Sequence, residues 1–456
     1  MKSSSPNTKV GLLTCVFLVV AIMVGTGIYT SLGIQLMSLS SGFAILAIWT
    51  LGGIGALCGA LSYAELAAQM PESGGEYYYL SKIYHPSVGT MAGIVMQASA
   101  FAAPIALFCM AFGKYFEAIF PHVSPTLASM LLVTIITAIH LVNHRCSSWF
   151  QDIVTGLKFF LIGAIIFIGF RYATGSAKIF IPSPTAFKEL LNPNSGVALI
   201  FCYYAYSGWN STTYMAGDVA SSQKTVGRSL IIGTLIVIGV YLLTNAVFLM
   251  SAPIDELRGV LDVGHVAAVH LLGQKGAYLM STCIAIGLVA GVSGMVWVGP
   301  SIAQMMGKDL PTLRWLSSVS SAGVPLRAFF LQYVLVMILL LTGSFKFVLI
   351  CSQFPLICCE MLGVLGVIVL RLRLKNKNLV SQNSKNFSGE KKQSLFRCPL
   401  YPLPQLIFLG ISLMALVYAM MTNPREGMIG IGILGVSLAL YPLLHRKAVN
   451  RACPKK

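Results

Sequence analysis

Charge is scarce in this sequence. Asp, Glu, Lys and Arg together make up 10% of its 456 residues, against roughly 25% in a typical soluble domain. A soluble chain with so few charges would expose apolar surface everywhere. Acidic residues are the scarcer sign, 14 against 31 basic ones, for a net charge of +17. The signatures of several enzyme classes are also missing. No GxSxG nucleophile elbow, HExxH zinc helix or GxxxxGK[ST] phosphate loop occurs, which argues against a hydrolase, a zinc protease and an ATP-driven pump. The eleven cysteines form no CxxC pair and no Cys/His ligand spacing. They read as small buried apolar residues, so neither disulfides, metal nor cofactor is expected.

What the sequence has in quantity is hydrophobicity, 56% of residues, with a mean hydropathy of +0.79. Intrinsic disorder needs the opposite composition. A spanning helix needs about 20 mostly apolar residues. Twelve such runs are found, near 10–38, 43–70, 87–112, 126–143, 150–172, 195–216, 229–251, 277–303, 327–344, 346–370, 404–421 and 427–445. The reading is an all-α polytopic membrane protein with twelve transmembrane helices and the lipid bilayer as its partner. With the N-terminus inside, 22 of the 31 basic residues fall on the inner side and eight on the outer, and Lys158 lies within a span. Cytoplasmic loops collect Lys and Arg, so both termini are expected in the cytoplasm. Topology then accounts for the positive charge, and no nucleic-acid partner is expected.

One stretch differs in composition. Residues 375–398 are polar, basic and unpatterned, which suggests a flexible cytoplasmic linker over 375–403. It would separate a ten-helix core, 1–374, from the last two helices and tail, 404–456. Ten helices divide into five plus five, with repeats near 10–172 and 195–370, and an odd-numbered repeat must be inverted in the membrane.

Two spans carry helix breakers at equivalent places in those repeats. Span 1 contains Gly25-Thr26-Gly27 and span 6 contains Ser207-Gly208-Trp209-Asn210. A break at the midplane leaves N–H and C=O groups unpaired, which is tolerated only where it lines a cavity. Half-helix N-termini suit a carboxylate and freed carbonyls suit an ammonium, so the two breaks together suit an amino-acid zwitterion. Taken singly, each glycine motif is better explained by close helix packing, and it is their paired occurrence at matching positions that shifts the balance.

At these residues the chain resembles the amino acid–polyamine–organocation permeases, and within them the L-type amino acid transporters. VGTGIY resembles the family's first-helix G-S-G-I motif, with Thr26 for the usual Ser. Asn210 and Tyr204 fall on the Asn and the aromatic gate of its sixth helix. Residues 63–80, YAELAAQMPESGGEYYYL, resemble the end of its second helix and the following loop. QDIVTGLKFF (151–160) resembles its fifth helix with an intramembrane lysine, and MMGKDLP (305–311) its loop after helix 8. The sequence departs from the family at Gly217-Asp218, where an acidic pair is usual. Other departures are Gly299-Pro300, where a basic residue is usual, and Ser207, where Gly is common.

The resemblance implies a LeuT-like inverted repeat with broken helices 1 and 6. It also implies secondary active transport of amino acids, sodium-independent, by exchange or proton symport, and placement in a plasma membrane such as the bacterial inner membrane. Gly25, Thr26, Gly27, Tyr204, Ser207, Gly208, Trp209 and Asn210 would then bind substrate. Their neutral side chains point to a neutral, medium-to-large amino acid. Lys158, an ionisable group within a span, either snorkels to the cytoplasmic face or, as the resemblance implies, sits beside broken helix 1 in place of a sodium ion. Glu360, about eleven residues inside the end of span 10, would carry a proton, select a cationic side chain or serve as a buried hydrogen-bonding group. It keeps a cationic amino acid or polyamine antiporter as an alternative. Trp297 is a further candidate for the pocket, or for a lipid or core contact. A membrane-embedded amino acid receptor is the alternative of another class.

Overall fold

Helix breakers inside the apolar runs decide where this bundle departs from straight rods. The computed structural model describes residues 10–142, 144–173, 175–320, 324–381 and 396–445, and excludes the side chains at 142–155, 218 and 375–381. Among the described residues the only β-pairing is a single bridge between Val10 and Val219. The first run divides into α1 (Leu12–Met23) and α2 (Gly27–Gln35), followed by α3 (Gly42–Gln69) and a short α4 (Gly75–Ile83). The third run is α5 (Pro86–Val95), a π-helical turn over Met96–Ala102, and α6 (Ala103–Ile119). Proline lacks the N–H that an α-helix interior needs. Pro104 sits in the first turn of α6, and the wider turn just before it absorbs the mismatch.

Then come α7 (Pro125–Val142), α8 (His144–Tyr172), a 3-10 turn at Ala177–Phe180, and α9 (Pro184–Leu191). The sixth run is α10 (Ser195–Tyr206), a turn, and a 3-10 helix over Ser211–Asp218. After it lie α11 (Ser222–Ser251), α12 (Ile254–Leu257) and α13 (Val263–Asp309), then a 3-10 turn at Pro311–Ser317 and α14 (Leu326–Leu341). The chain ends in α15 (Phe345–Ser381), α16 (Leu403–Thr422), α17 (Pro424–Ala439) and α18 (Tyr441–Leu444). Among the described residues, eight helical segments are long and apolar enough to cross a membrane, and Pro125–Leu141 and Leu326–Leu341 are shorter apolar helices.

Two boundaries differ from the sequence expectation. α13 is far longer than 277–303, because a bend at Gly273, with φ of +69°, joins an added segment to the span. Only glycine adopts that backbone at no steric cost. The second difference is the linker. α15 runs seven residues beyond 374 to Ser381, where Lys375, Lys377 and Leu379 are side-chain types that lose little rotamer freedom in a helix. Residues 382–395 of the expected linker and the 446–456 tail lie outside the described residues.

α11 packs along α3 and α13 along α6, and α1 lies against α11. The buried side chains form one dominant apolar cluster that runs through the bundle. The outer surface is apolar as well: Phe160 and Phe167 on α8 are each 74% exposed, and Leu341 on α14 is 71% exposed. That outward belt is the surface a bilayer solvates. One end of the bundle carries Lys82, Lys308, Arg314, Arg371 and Arg373 around α4. At the other end the segment after α12 covers α2, with Gly259 N–H donating to Gly33 O at 2.7 Å and Arg258 Nε to Leu36 O at 3.0 Å.

Candidate functional site

The two interruptions meet in the middle of the bundle. α1 ends at Met23 and α2 starts at Gly27. α10 ends at Tyr206, and Gly208 turns the chain with φ of +97°. α2 packs on α10, close enough that a Cβ on Gly27 would stand 2.5 Å from Ala205 Cα. Across this contact Thr26 Oγ1 and the Tyr204 hydroxyl share a hydrogen bond. Gly25 and Gly27 are therefore packing glycines as well as breakers: a Cβ on Gly25 would meet the Phe108 ring at 2.5 Å. Ser207 and Gly208 keep partial exposure deep in the molecule, whereas their neighbours are buried.

The backbone groups freed by the breaks are partitioned by sign. Lys158 on α8 is buried, and its Nζ donates to Ala21 O at 2.7 Å and Val24 O at 2.6 Å. An ammonium thus stands at the carbonyl end of α1, the negative pole of its dipole. The Tyr241 hydroxyl on α11 lies 2.5 Å from Met23 O and 2.7 Å from Ala205 O, so one phenol bridges the last turns of α1 and α10. The first N–H groups of a helix have no acceptor within it. Among the described residues no acceptor from outside the helix takes those of Thr26, Gly27 and Ile28 at the head of α2. The centre therefore presents free donors on α2 beside carbonyls already covered on α1.

A second polar group lies toward α4. Asn210 Nδ2 donates to Glu76 Oε1, and the Tyr214 hydroxyl donates to Glu76 Oε2 at 2.9 Å. Glu76 is fully buried. Burial pushes its carboxyl above the ordinary range, and the donors from Asn210 and Tyr214 pull it back. Glu360 on α15 is 3% exposed, and the charged group that acts on it is Glu76. Nearby, Tyr77 donates to Asp309 at 2.8 Å, tying α4 to the end of α13.

Several expected site residues point elsewhere. Trp209 is buried, but its ring stacks edge-on against Tyr63 at 4.8 Å and Phe408 at 5.9 Å. It fills the space left by Gly59 on α3, so it packs against α3 and α16. Trp297 on α13 is 38% exposed, which suits the lipid contact weighed for it in the sequence. Asn210, the last residue of the second break, joins the Glu76 group, and Glu360 lies near that acid. Of the histidines, His140 contacts Ser293 at 2.9 Å and His265 contacts Ser281 at 2.8 Å, and His144 has a side chain outside the described set. No cluster of three or more metal-ligating side chains occurs among the described residues.

Residues that sequence reasoning passed over complete the centre. Phe108 on α6 lies between Gly25 and Gly291, where a Cβ on either glycine would crowd its ring. Tyr241 bridges the breaks. Neither carries a sequence signal, since each sits in a run that is apolar on every side. Glu76 was visible as an acid within the GGEYYY stretch, but its burial was not.

Comparison with known proteins agrees with this architecture. The family model described as amino acid permease matches residues 10–440. The serine/threonine exchanger SteT of Bacillus subtilis (strain 168) is 27% identical over 97% of this chain and 98% of its own length. The b(0,+)-type amino acid transporter 1 of Mus musculus is 25% identical over 82% of this chain and 78% of its own. The Asc-type amino acid transporter 1 of Homo sapiens is 27% identical over 80% and 72%. These relatives are transporters, not enzymes. With the match running through both broken helices, the chain belongs to the amino acid permease family.

Proposed function

We propose that this permease is a secondary active transporter that moves a neutral amino acid by alternating access and needs no sodium. The observation that carries the reading is Lys158, whose ammonium already occupies the carbonyls of Ala21 and Val24. A cation tethered to α8 does the electrostatic work of a bound metal ion but cannot be transported. The substrate carboxylate would take the free N–H groups at Thr26, Gly27 and Ile28, as anions do at helix N-termini. Its ammonium would turn to the broken end of α10 at Ser207 and Gly208, because Lys158 and Tyr241 cover the α1 carbonyls. Tyr204, held to Thr26, would gate the site.

The neutral side chains around the breaks support a neutral substrate, and the engagement of Glu360 with Glu76 weakens the cationic alternative. The name of the Bacillus relative, a serine/threonine exchanger, favours exchange as the basic cycle. We further infer twelve crossings in a five-plus-five inverted arrangement, with both termini and the basic end around α4 in the cytoplasm of a bacterial inner membrane. The test is uptake of labelled serine, threonine, leucine and arginine into proteoliposomes loaded with unlabelled amino acid, with and without a sodium gradient. Neutral amino acids should exchange equally in both conditions. Dependence on sodium, inhibition only by arginine or lysine, or wild-type exchange by Lys158→Ala would overturn the reading.

A further inference from the structure

Glu360 sits in an environment that does not suit a charge. It is 3% exposed, no hydrogen bond to it is found among the described residues, and no cation opposes it. The titratable groups around it are Glu76 from α4, Tyr63 from α3, Tyr203 from α10, Tyr214 from the 3-10 helix and its own neighbour Cys359. From α5, α6, α16 and α17 no charged side chain acts on it. Two carboxylates in one low-dielectric space cannot both ionise without a cation between them.

The two acids are provided for unequally. Glu76 lies in the first turn of α4, at the positive end of the helix dipole, and receives donors from Asn210 and Tyr214. Glu360 receives none. A third side chain points to what is held there. The Tyr63 hydroxyl is fully buried and lies beside the Glu76 carboxyl. It rests on Gly363, where a Cβ would overlap it, and Gly363 is one turn along α15 from Glu360 on the same side. A hydroxyl beside two acids can donate to one and accept from the other.

We propose that Glu76 and Glu360 form a proton-binding site, holding one proton between them with Glu360 as its resident, and that this proton is coupled to opening of the α4 end. Asn210, which donates to Glu76, belongs to the break in the sixth run, so movement of that break away from α4 opens the two acids to water, whose solvation of the charge outweighs the one donor lost. The pair then ionises and the proton leaves on the side that has opened. The coupling element rests on the transporter reading above, but the protonated acid itself does not.

Infrared spectroscopy on the purified full-length protein at neutral pH tests it directly. The wild type should show a protonated carboxyl C=O band that fades as pH is raised, is lost in Glu360→Gln, and persists in Glu117→Gln, an exposed acid paired with Lys114. Absence of the band in the wild type, or its survival in Glu360→Gln, would overturn the site whatever the protein transports. In proteoliposomes a two-unit inward pH gradient should drive accumulation of up to about 100-fold for one proton per substrate. Glu360→Gln should lose this accumulation while keeping exchange. Gradient-driven accumulation that persists in Glu360→Gln would refute the coupling. Loss of exchange in the wild type would instead refute the transporter reading and leave the infrared result to decide the site.

Discussion

Two buried acids at the same end of the bundle are treated in opposite ways. Glu65 on α3 meets Arg371 on α15 in a two-pronged pair, Nε to Oε1 at 2.7 Å and Nη2 to Oε2 at 2.6 Å. Cys398 N–H adds a third donor at 2.7 Å, Gln69 a fourth at 3.2 Å, and the guanidinium stacks 3.9 Å over Tyr401. Every lone pair is used, and three chain segments are locked together. Glu360, on the same helix as Arg371, has neither cation nor donor. The difference separates a structural joint from a group free to change its protonation.

The largest effect should come from breaking the joint. Arg371→Met leaves the 1%-exposed Glu65 side chain without its cation. Stability should fall by about 3–5 kcal/mol, seen as a lower melting temperature in detergent and as protease sensitivity around 396–402. Gly363→Ala comes next. It forces a methyl into the Tyr63 hydroxyl and should cost roughly 1–3 kcal/mol by overpacking, measured by denaturant titration. The same change should alter the pH profile of transport, which Arg371→Met should leave unchanged in any protein that survives folding.

Asn210→Ala should cost about 1–2 kcal/mol through the donor lost to Glu76. Here pH gives the sharper reading. The Glu76 carboxyl is raised by burial, so its contribution is fully present below the ordinary carboxylate range, about 4–5, and is lost as pH rises through the raised value. Melting temperature should decline with rising pH in the wild type and more steeply in Asn210→Ala. Glu360→Gln should have the smallest effect on stability at neutral pH, within about 0.5 kcal/mol, because an amide of the same shape replaces an acid that the proposed site holds protonated. A large loss on this substitution would place Glu360 with Glu65 as a structural group.

The sequence showed the breaks because glycine is conspicuous within apolar runs, and it showed Lys158 because a charge in a span demands a reason. It did not show direction. Trp209 and Trp297 look alike in sequence, yet one is buried against Phe408 and the other faces outward. Helices that are apolar on all sides give no face to read. Phe108 and Tyr241 were missed for the same cause. The extension of α15 to Ser381 is not legible because Lys375, Lys377 and Leu379 suit a helix and a polar linker alike, and Asn376, Asn378 and Ser381 break any apolar pattern. Tertiary pairing was equally invisible: Glu65 and Glu360 are both buried acids, and only the position of Arg371 tells them apart.

Tyr241 has a consequence of its own. Its phenol carries one hydrogen but lies within bonding distance of Met23 O and Ala205 O, each at the last turn of a different interrupted helix. Whichever carbonyl it serves, the other is left one donor short. The two halves of the centre therefore compete for a single hydrogen, and what steadies one unsettles the other. A ligand that satisfies the α10 side releases the phenol to α1. On the substrate site proposed above, binding at one break would be felt at the other through a shared atom.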